Sequence, residues 1–189
     1  MTKQEIRSQM FRILRSQIGP DASSVADRIC ALEEYGNADL IIGYVPLKSE
    51  VDISLVMDRA VREGKTIAFP DLEPGTFRLA DADWRNNLVE LPNKTRTVGN
   101  SDILNINEIR ARMLLSERHK GLILVPGLAF TEFGTRLGRG AGYYDQLFDL
   151  MGKARLADFI SIGICRKTQL VEDLPQQPHD KKVRMVIAF

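Results

Sequence analysis

The sequence predicts an α/β domain in which helices cover both faces of a mainly parallel sheet. Short apolar runs bounded by glycine or proline recur along the chain, and such runs are typical of strands buried on both faces. They span residues 39–45, 66–69, 122–125 and 159–164. Segments with apolar residues at i, i+3, i+4 and i+7 separate these runs and predict amphipathic helices. Since alternating strands and helices form βαβ units, we expect parallel strands and right-handed crossovers within a single domain, 1–189.

The first helix is predicted to begin at a capping box formed by Thr2 and Glu5 and to end near Gln17. Apolar side chains form one stripe along it: Ile6, Met10, Ile13 and Leu14. Lys3 and Arg7 fall on or beside that stripe, where charged side chains usually extend to water along their aliphatic stems. A lysine in the first turn also opposes the helix dipole, a small cost that a function would explain.

A second helix is predicted over residues 21–35, with Gly36 as its stop signal. A βαβ unit follows, formed by the first apolar run, a helix over 52–63 and a strand over 66–69. The helix of this unit has a regular apolar stripe: Ile53, Val56, Met57 and Ala60. The unit therefore matches the predicted fold class.

The loop at residues 46–52 follows the first strand at its carboxyl end, where open α/β sheets bind ligands. Glu50 in this loop is therefore a candidate binding residue. The alternative is that Glu50 is an acid in the first turn of the next helix, where the helix dipole favours a negative charge.

Residues 71–104 carry the weakest pattern in the chain. Phe77 and Leu79 alternate with polar residues as in an edge strand. Trp84, the only tryptophan, is expected in the core or in a lid rather than against a ligand. This segment therefore adds little to the predicted site.

The stretch at residues 121–148 organises the chain. After its apolar strand comes a loop with five glycines: Gly127, Gly134, Gly138, Gly140 and Gly142. A helix over 143–151 follows, with the apolar stripe Tyr144, Leu147, Phe148 and Met151. A glycine-rich loop between a strand and a helix places free backbone N–H groups and the positive end of the helix where an anion can bind.

Arg136 and Arg139 lie within this loop, and their guanidinium groups offer paired donors to phosphate or carboxylate. Arg139 has glycine on both sides, so no apolar neighbour is expected to bury its stem. The alternative is a flexible surface loop that closes a strand–helix unit. Two arginines, two tyrosines and an acid within ten residues favour a binding site instead.

The remaining elements complete the predicted sheet. A helix is expected over 107–118, and a closing strand over 183–189 follows the strand at 159–164. His179 and Asp180 stand shortly before the closing strand. A lone histidine there would be an ordinary loop residue, but the His–Asp pair is interpreted as the edge of a site.

The composition is that of an ordinary globular protein, with 44% hydrophobic and 27% charged residues. A net charge of +1 excludes a strongly basic nucleic-acid binder. Cys30 and Cys165 have no metal or redox spacing and are expected to be free, buried thiols in a reducing compartment. A polar N-terminus and the lack of an apolar run of about 18 residues predict a cytoplasmic protein without a signal peptide or membrane span.

The segments PGLAF and GTRLGRGAGYYD, at 126–130 and 134–145, resemble the signature of the 5-formyltetrahydrofolate cyclo-ligase family. KQEIR at 3–7, the Glu50 loop and the tail pattern Gln-Leu, Leu-Pro, His-Asp resemble the family as well. The resemblance implies a Rossmann-like fold, similar to that of sugar-phosphate isomerases and CoA-transferases. It also implies an ATP- and Mg²⁺-dependent conversion of 5-formyltetrahydrofolate to 5,10-methenyltetrahydrofolate. The formyl oxygen takes the γ-phosphate, N10 attacks the activated carbon, and ADP and phosphate are released.

The resemblance further implies roles for individual residues. Those expected to bind ATP are Lys3, Gln4, Glu5, Ile6, Arg7, Arg136, Leu137, Gly138, Arg139, Gly140, Ala141, Gly142, Tyr143 and Tyr144. Those expected to bind the folate are Val45, Glu50, Arg139, Gly140, Ala141, Gly142 and Tyr143. Arg139 and Tyr143 are the implied catalytic residues, and Asp145 and Asp180 are the implied Mg²⁺ ligands. A monomer that binds ATP and 5-formyltetrahydrofolate, but neither nucleic acid nor membrane, is expected.

Three features depart from the family pattern. Thr131 stands where the family often has aspartate, Ala141 replaces a usual glycine, and residues 93–102 lack a Gly-Ile-x-Glu-Pro-like segment. Alanine at position 141 is tolerable unless its backbone needs a positive φ. Two alternatives stay open: a non-catalytic relative that binds folate or nucleotide, and a sugar-phosphate or CoA enzyme on a similar scaffold.

Overall fold

A seven-stranded sheet runs through the computed structural model, which describes residues 1–92, 95–99, 101–115, 120–156 and 158–189. In chain order the described strands are β1 (Leu40–Ile42), β2 (Thr66–Pro70), β3 (Thr76–Ala80), β4 (Leu88–Glu90), β5 (Arg96–Val98), β6 (Ile103–Asn105), β7 (Gly121–Pro126), β8 (Ala129–Phe130), β9 (Arg136–Leu137), β10 (Phe159–Cys165) and β11 (Met185–Ala188). The sheet order is β11-β10-β7-β1-β2-β3-β6, and the strands from β11 to β2 are parallel. β3 and β6 extend it antiparallel, and β4–β5 and β8–β9 form separate ribbons.

Helices pack on both faces of this sheet. In chain order the described α-helices are α1 (Lys3–Arg15), α2 (Ala22–Cys30), α3 (Glu33–Asn37), α4 (Ser54–Arg62), α5 (Ile106–Leu115) and α6 (Tyr143–Lys153). α2, α3 and α4 share one core cluster with the sheet, and α5 and α6 share another. α1 packs instead on the β8–β9 ribbon through Met10 and Leu14. This architecture confirms the predicted fold class.

The longest of the described helices has 13 residues, so none of them reaches the length that a membrane crossing requires.

The prediction of one helix over 21–35 is wrong, because the structure divides this segment into α2 and α3. α2 closes at Ala31, and Leu32 has an extended backbone. In a continuous helix the side chain of Tyr35 would point about 120° away from that of Ile29, since each residue turns the helix by about 100°. The break lets both side chains enter the same core cluster, where both are buried.

Two predicted boundaries near the first strand also shift. α3 runs past Gly36, so this glycine is not the stop signal. β1 is only three residues long, shorter than the predicted run over 39–45. Beyond β1 the N–H of Gly43 still donates to the carbonyl oxygen of Ala68 at 3.0 Å, and the hydroxyl of Tyr44 donates to the carbonyl oxygen of Val51 at 2.8 Å in the following loop.

Phe77 and Leu79 lie in a strand, as predicted, but this strand is not at the edge of the sheet. Both residues lie in β3, but β6 pairs with the outer side of β3. β6 comes from the segment with the weakest pattern, so its pairing gave no signal in the sequence. The helix predicted over 107–118 is α5, and the last residues of that prediction, 116–118, lie outside the described residues.

Trp84 is a core residue, as expected. Its exposed fraction is 1%, its indole N–H donates to Oδ1 of Asp58 at 2.9 Å, and its ring centroid lies 4.8 Å from that of Phe69. Both cysteines are free. Cys165 is buried, whereas Cys30 is only half-buried, so the expectation of a buried thiol holds for Cys165 alone.

Candidate active site

The candidate site is a cavity of about 550 Å³ at the carboxyl edge of the parallel strands. β1 lies between β2 and β7. The strands that follow β1 in the chain first extend the sheet on the β2 side, and the later strands β7, β10 and β11 extend it on the other side. Open α/β sheets bind ligands at such a switch point. The loops after β1, β2 and β7 form part of the wall. The rest comes from α1, β9, the glycine-rich loop, the start of α6, the segment before β11, and Thr95 and Arg96.

The glycine-rich loop at 138–142 connects β9 to α6 and forms one wall of the cavity. Gly142 precedes α6 with a left-handed backbone (φ +66°), and no side chain caps the first N–H groups of this helix. Gly138 gives space to Arg136, because a Cβ at this position would lie 2.6 Å from Nη1 of the arginine. The loop therefore has the geometry of an anion site, with a bare helix N-terminus and an adjacent guanidinium.

Arg136 lines the cavity although its side chain is only 5% exposed. Its Nη2 lies 3.3 Å from Oδ2 of Asp145, and its guanidinium carbon lies 5.3 Å from the ring centroid of Tyr144. Burial lowers the pKa of Arg136, and the charge of Asp145 partly offsets this effect. Its Nε has no hydrogen-bond partner among the described residues. The guanidinium of Arg136 is therefore a candidate partner for an anion in the cavity.

Lys3 and Asp180 connect α1 to the segment before β11. Nζ of Lys3 lies 2.7 Å from Oδ1 of Asp180 and 3.3 Å from Oε1 of Gln177. Burial raises the pKa of Asp180, but hydrogen bonds from Lys3 and from the N–H of Gln177 outweigh it and leave the pKa below its usual value. The N–H of Lys181, the next residue, donates to Oδ1 of Asp145 at 3.0 Å. Asp145 is therefore hydrogen-bonded to the residue that follows Asp180, and both aspartates line the cavity.

Arg7 is the second cation that α1 contributes to the cavity lining. Its Nε donates to the carbonyl oxygen of Gly138 at 3.0 Å, which fixes the helix against the glycine-rich loop. Lys3 and Arg7 are four residues apart, so they lie on the same face of the helix.

The other three residues of α1 assigned to ATP do not line the cavity. Gln4 and Glu5 are exposed, and Ile6 packs into the core cluster around α1. The carboxylate of Glu5 accepts the N–H of Thr2 at 2.7 Å, which confirms the predicted capping box. A resemblance assigns a continuous segment to the site, whereas a helix turns only one of its faces to a cavity.

Glu50 and Arg139 are in contact within the cavity lining. Nε of Arg139 lies 3.3 Å from Oε1 of Glu50, and Nη2 lies 2.7 Å from Oγ of Ser49. Burial raises the pKa of Glu50, and the N–H of Leu47 and the charge of Arg139 partly offset this rise. The guanidinium of Arg139 also lies 5.4 Å from the ring centroid of Phe11. The expectation that Arg139 has no apolar neighbour is therefore wrong.

Tyr143 and Tyr144 form the first turn of α6, and their rings pack edge to face with centroids 5.5 Å apart. The hydroxyl of Tyr143 lies 3.4 Å from the carbonyl oxygen of Glu73. Burial raises the pKa of Tyr143 and of Tyr144. Both phenols are therefore protonated at neutral pH, and Tyr143 can act as a hydrogen-bond donor but not as a base.

Most residues that the sequence assigns to the site lie together in the structure. The cavity lining includes Lys3, Arg7, Val45, Glu50, Arg136, Leu137, Gly138, Arg139, Gly140, Ala141, Gly142, Tyr143, Tyr144, Asp145 and Asp180. His179, interpreted from the sequence as a site edge, is exposed and lines the cavity too. These residues come from four separate segments, and the carboxyl edge of the sheet is where the loops among them meet.

The three departures from the family pattern have different settings. Ala141 does not need a positive φ, because Arg155 is the only non-glycine residue with one in the described part of the chain. Thr131 lies outside the cavity lining, and its hydroxyl accepts the N–H of Thr135 at 3.2 Å in the turn between β8 and β9. Within 93–102, residues 93, 94 and 100 lie outside the described residues. Alanine and threonine are thus both compatible with the local backbone.

Several lining residues are missing from the sequence-based prediction: Tyr44, Leu47, Pro70, Leu72, Pro74, Thr95, Arg96, Gln146 and Gln177. Those after β1 and β2 carried a usable signal, because every parallel strand delivers its following loop to the same edge. Thr95 and Arg96 carried none, because they belong to the segment without periodicity.

Comparisons with known proteins find relatives that match nearly the whole chain. The model of the 5-formyltetrahydrofolate cyclo-ligase family matches residues 1–188. A probable 5-formyltetrahydrofolate cyclo-ligase of Schizosaccharomyces pombe is 25% identical over 197 residues, covering 96% of this chain and 94% of that protein. The 5-formyltetrahydrofolate cyclo-ligase of Escherichia coli K12 is 25% identical over 185 residues, covering 94% of this chain and 96% of that protein.

Two solved structures share the fold. The 5,10-methenyltetrahydrofolate synthetase of Aquifex aeolicus has a TM-score of 0.73 at 23% identity, over 100% of this chain and 90% of that chain. The corresponding enzyme of Mycoplasma pneumoniae has a TM-score of 0.69 at 19% identity, over 99% of this chain and 98% of that chain. Because the family model covers nearly the whole sequence, this protein belongs to the 5-formyltetrahydrofolate cyclo-ligase family, the ligases that close 5-formyltetrahydrofolate to 5,10-methenyltetrahydrofolate.

Proposed function

We propose that this protein binds ATP and 5-formyltetrahydrofolate side by side in the cavity and joins them through phosphoryl transfer. The observation that supports this most is the presence of two different walls in one cavity. One wall suits phosphates, with the bare start of α6 and four cations: Lys3, Arg7, Arg136 and Arg139. The other wall suits a pterin ring, with mostly apolar side chains and one half-buried carboxylate: Tyr44, Val45, Leu47, Leu72 and Glu50.

The phosphates of ATP bind at the first turn of α6 in this proposal. Phosphoryl transfer needs fixed positive charge around the phosphates more than it needs a covalent nucleophile. Lys3 and Arg7 supply that charge from α1, and Arg136 supplies it from beneath the glycine-rich loop. These cations already contact carboxylate or carbonyl oxygens, so phosphate oxygens are suitable partners for the same donors.

The pterin ring of the folate binds on the apolar wall, with its N–H groups towards Glu50. One carboxylate oxygen of Glu50 accepts the N–H of Leu47, and the other contacts Arg139. When an N–H group of the pterin donates to Oε1 of Glu50, it replaces the contact from Arg139. The guanidinium of Arg139 is then free to turn towards the phosphates. Arg139 then stands between the two substrates, where the reacting groups meet.

The reaction needs two displacements. The formyl oxygen attacks the γ-phosphorus of ATP and ADP departs, which activates the formyl carbon. N10 attacks that carbon, the carbon–oxygen bond breaks, and phosphate departs with the N10 proton as hydrogen phosphate. Arg139 offers paired donors to the transferred phosphoryl group, and the protonated Tyr143 offers one more. Neither cysteine lines the cavity, so the described residues offer no thiol nucleophile there.

The two aspartates at the wall fit a magnesium ion that accompanies ATP. Asp145 and Asp180 both line the cavity, and the N–H that Asp145 accepts belongs to the residue after Asp180. No group of three or more metal-ligating side chains occurs within the described residues. Magnesium commonly uses one or two carboxylates together with phosphate oxygens and water, so this donor set is sufficient. When bound, the ion supplies positive charge next to the phosphates.

The metal assignment predicts the response to Mg²⁺. We expect the Asp180→Asn variant to need roughly ten- to a hundredfold more Mg²⁺ for half-maximal rate, since losing a charged contact costs about 1.5–3 kcal/mol. The same holds for Asp145→Asn. Titration of the rate with Mg²⁺ measures both. Asp149→Asn is the matched control, because Asp149 pairs with Lys181 at 2.7 Å but does not line the cavity. An unchanged Mg²⁺ requirement in Asp180→Asn would remove that residue from the metal site.

The activity itself is tested by mixing the purified protein with 5-formyltetrahydrofolate, ATP and Mg²⁺. We expect the near-ultraviolet absorbance of 5,10-methenyltetrahydrofolate to appear, together with one ADP per product. Omission of ATP is the control and should abolish the signal. Binding of both substrates without turnover would contradict the proposal and favour a non-catalytic relative.

A further inference from the structure

Arg166 is a buried arginine that the proposed reaction does not use. It follows β10 directly, is 4% exposed and does not line the cavity. Its Nη1 donates to the carbonyl oxygen of Gln17 at 3.0 Å, and its Nη2 donates to the carbonyl oxygen of Lys48 at 3.1 Å. No carboxylate within the described residues forms an ion pair with it. Because a buried charge is unfavourable without polar partners, the two carbonyl oxygens define what this side chain does.

The carbonyl group of Lys48 belongs to the turn that brings Glu50 to the cavity. Two hydrogen bonds close this turn. The N–H of Glu50 donates to the carbonyl oxygen of Leu47 at 2.9 Å, and the N–H of Leu47 donates to Oε2 of Glu50 at 3.0 Å. Lys48 lies between the bonded residues, so Arg166 holds the middle of the turn from the core side. The direction of the Glu50 carboxylate therefore depends on the peptide group that Arg166 binds.

Arg139 holds the same turn from the cavity side, through Ser49 at 2.7 Å and Glu50 at 3.3 Å. Its side chain is 36% exposed, whereas Arg166 is 4% exposed. In the proposed reaction Arg139 moves towards the phosphates when the folate binds. From then on, Arg166 is the arginine that still holds the turn.

Arg166 is itself fixed to the centre of the sheet. Its backbone N–H donates to Oε1 of Gln169 at 2.8 Å, and Nε2 of Gln169 donates to the carbonyl oxygen of Gly127 at 2.7 Å. Gln169 is 1% exposed, and Gly127 follows the central strand β7. The turn is thus attached through two buried side chains to the loop after β7, which also lines the cavity.

We propose that Arg166 is a positioning residue for the folate substrate. It holds the turn at residues 47–50 so that the Glu50 carboxylate keeps its direction towards the pterin ring while Arg139 is engaged elsewhere. This inference rests on the proposed function. It assigns Arg166 to the folate half of the site, because the cations of the ATP half are fixed by other contacts, from Lys3 to Asp180 and from Arg7 to Gly138.

The test measures the KM for 5-formyltetrahydrofolate and the KM for ATP in the variants Arg166→Met and Arg166→Lys. We expect the KM for 5-formyltetrahydrofolate to rise about ten- to a hundredfold in Arg166→Met, because a small misplacement of a binding group has effects of this size. The KM for ATP should change less than about twofold, and Arg166→Lys should lie between wild type and Arg166→Met. Arg28→Met is the matched control, because exposed Arg28 also donates to a backbone carbonyl oxygen, of Ala188 at 2.7 Å, but does not line the cavity.

A double-mutant cycle with Glu50→Gln separates positioning from a general loss of stability. If Arg166 acts through Glu50, Arg166→Met should raise the folate KM little further in the Glu50→Gln background. Independent effects of the two changes, or equal rises of the ATP and folate KM values, would overturn the inference. If Arg166→Met does not fold, the same cycle with Arg166→Lys decides. A wild-type protein without turnover would overturn the proposed function as well, whereas an active enzyme with an unchanged KM ratio overturns this inference alone.

Discussion

Replacement of Arg139 by alanine should lower kcat/KM for ATP about ten- to a hundredfold and leave the protein folded. The guanidinium contacts Ser49, Glu50 and the ring of Phe11, and its side chain is 36% exposed. Arg139 is partly exposed and Glu50 keeps its hydrogen bond from the N–H of Leu47, so the loss of these contacts has a small effect on the free energy of unfolding. A charge-assisted hydrogen bond to a phosphate contributes about 1.5–3 kcal/mol, which corresponds to the expected loss.

Steady-state kinetics with varied ATP and urea unfolding measure the two sides of this prediction. Arg12→Ala is the matched control, since exposed Arg12 lies on the same helix as Phe11, donates to the carbonyl oxygen of Ser8 at 3.4 Å and does not line the cavity. Its kinetics should equal those of wild type. Normal kinetics in Arg139→Ala, or its failure to fold, would make Arg139 a solvated or structural residue.

Replacement of Gly134 by alanine should lower the free energy of unfolding by about 3 kcal/mol or more. Gly134 has φ +82°, a conformation that costs an alanine about 1–2 kcal/mol. A Cβ at this position would also lie 2.1 Å from the carbonyl oxygen of Val183, and overpacking of this kind adds about 1–3 kcal/mol. The N–H of Val183 donates to the carbonyl oxygen of Gly134 at 3.0 Å, so the clash falls on a backbone pairing that cannot move aside.

Gly152→Ala is the control for the change of glycine to alanine. Gly152 lies within α6, and a Cβ there would have no atom within 4 Å. Alanine at this position should stabilise the protein by about 0.5–1 kcal/mol. Thermal or urea unfolding of both variants gives the comparison. Equal stability of Gly134→Ala and wild type would contradict the close approach between Gly134 and Val183.

The sequence predicts those parts of the fold that depend on local pattern. The βαβ unit and the apolar runs at 122–125 and 159–164 predict buried strands, and the structure contains a strand at each of these places. The break between α2 and α3 escapes prediction because Ile29 and Tyr35 are both apolar and six residues apart. Their common burial depends on the sheet beneath them, which no local pattern shows.

The candidate site, too, has residues that the sequence reveals and residues that it does not. The glycine-rich loop with Arg136 and Arg139 is recognisable because its residues are consecutive in the chain. The hydrogen bond from Arg166 that holds the turn before Glu50 is not recognisable in the sequence. Arg166 is 118 positions from Lys48 and 149 from Gln17, the two residues whose carbonyl oxygens it binds. An isolated arginine after a strand has no spacing that distinguishes a buried tether from a solvated side chain. Tertiary contacts of this kind have to be observed.

The distance along the chain between Lys3 and Asp180 has a consequence for the newly made protein. These residues are 177 positions apart, and Arg7 and Gly138 are 131 apart. A ribosome delivers the cations of α1 first and their partners last, and contacts so distant in sequence form late in folding. Until residue 180 has emerged, Lys3 lacks its partner Asp180, and this part of the cavity wall cannot form. If the proposed function is correct, we expect the ability to bind nucleotide to be gained late in synthesis.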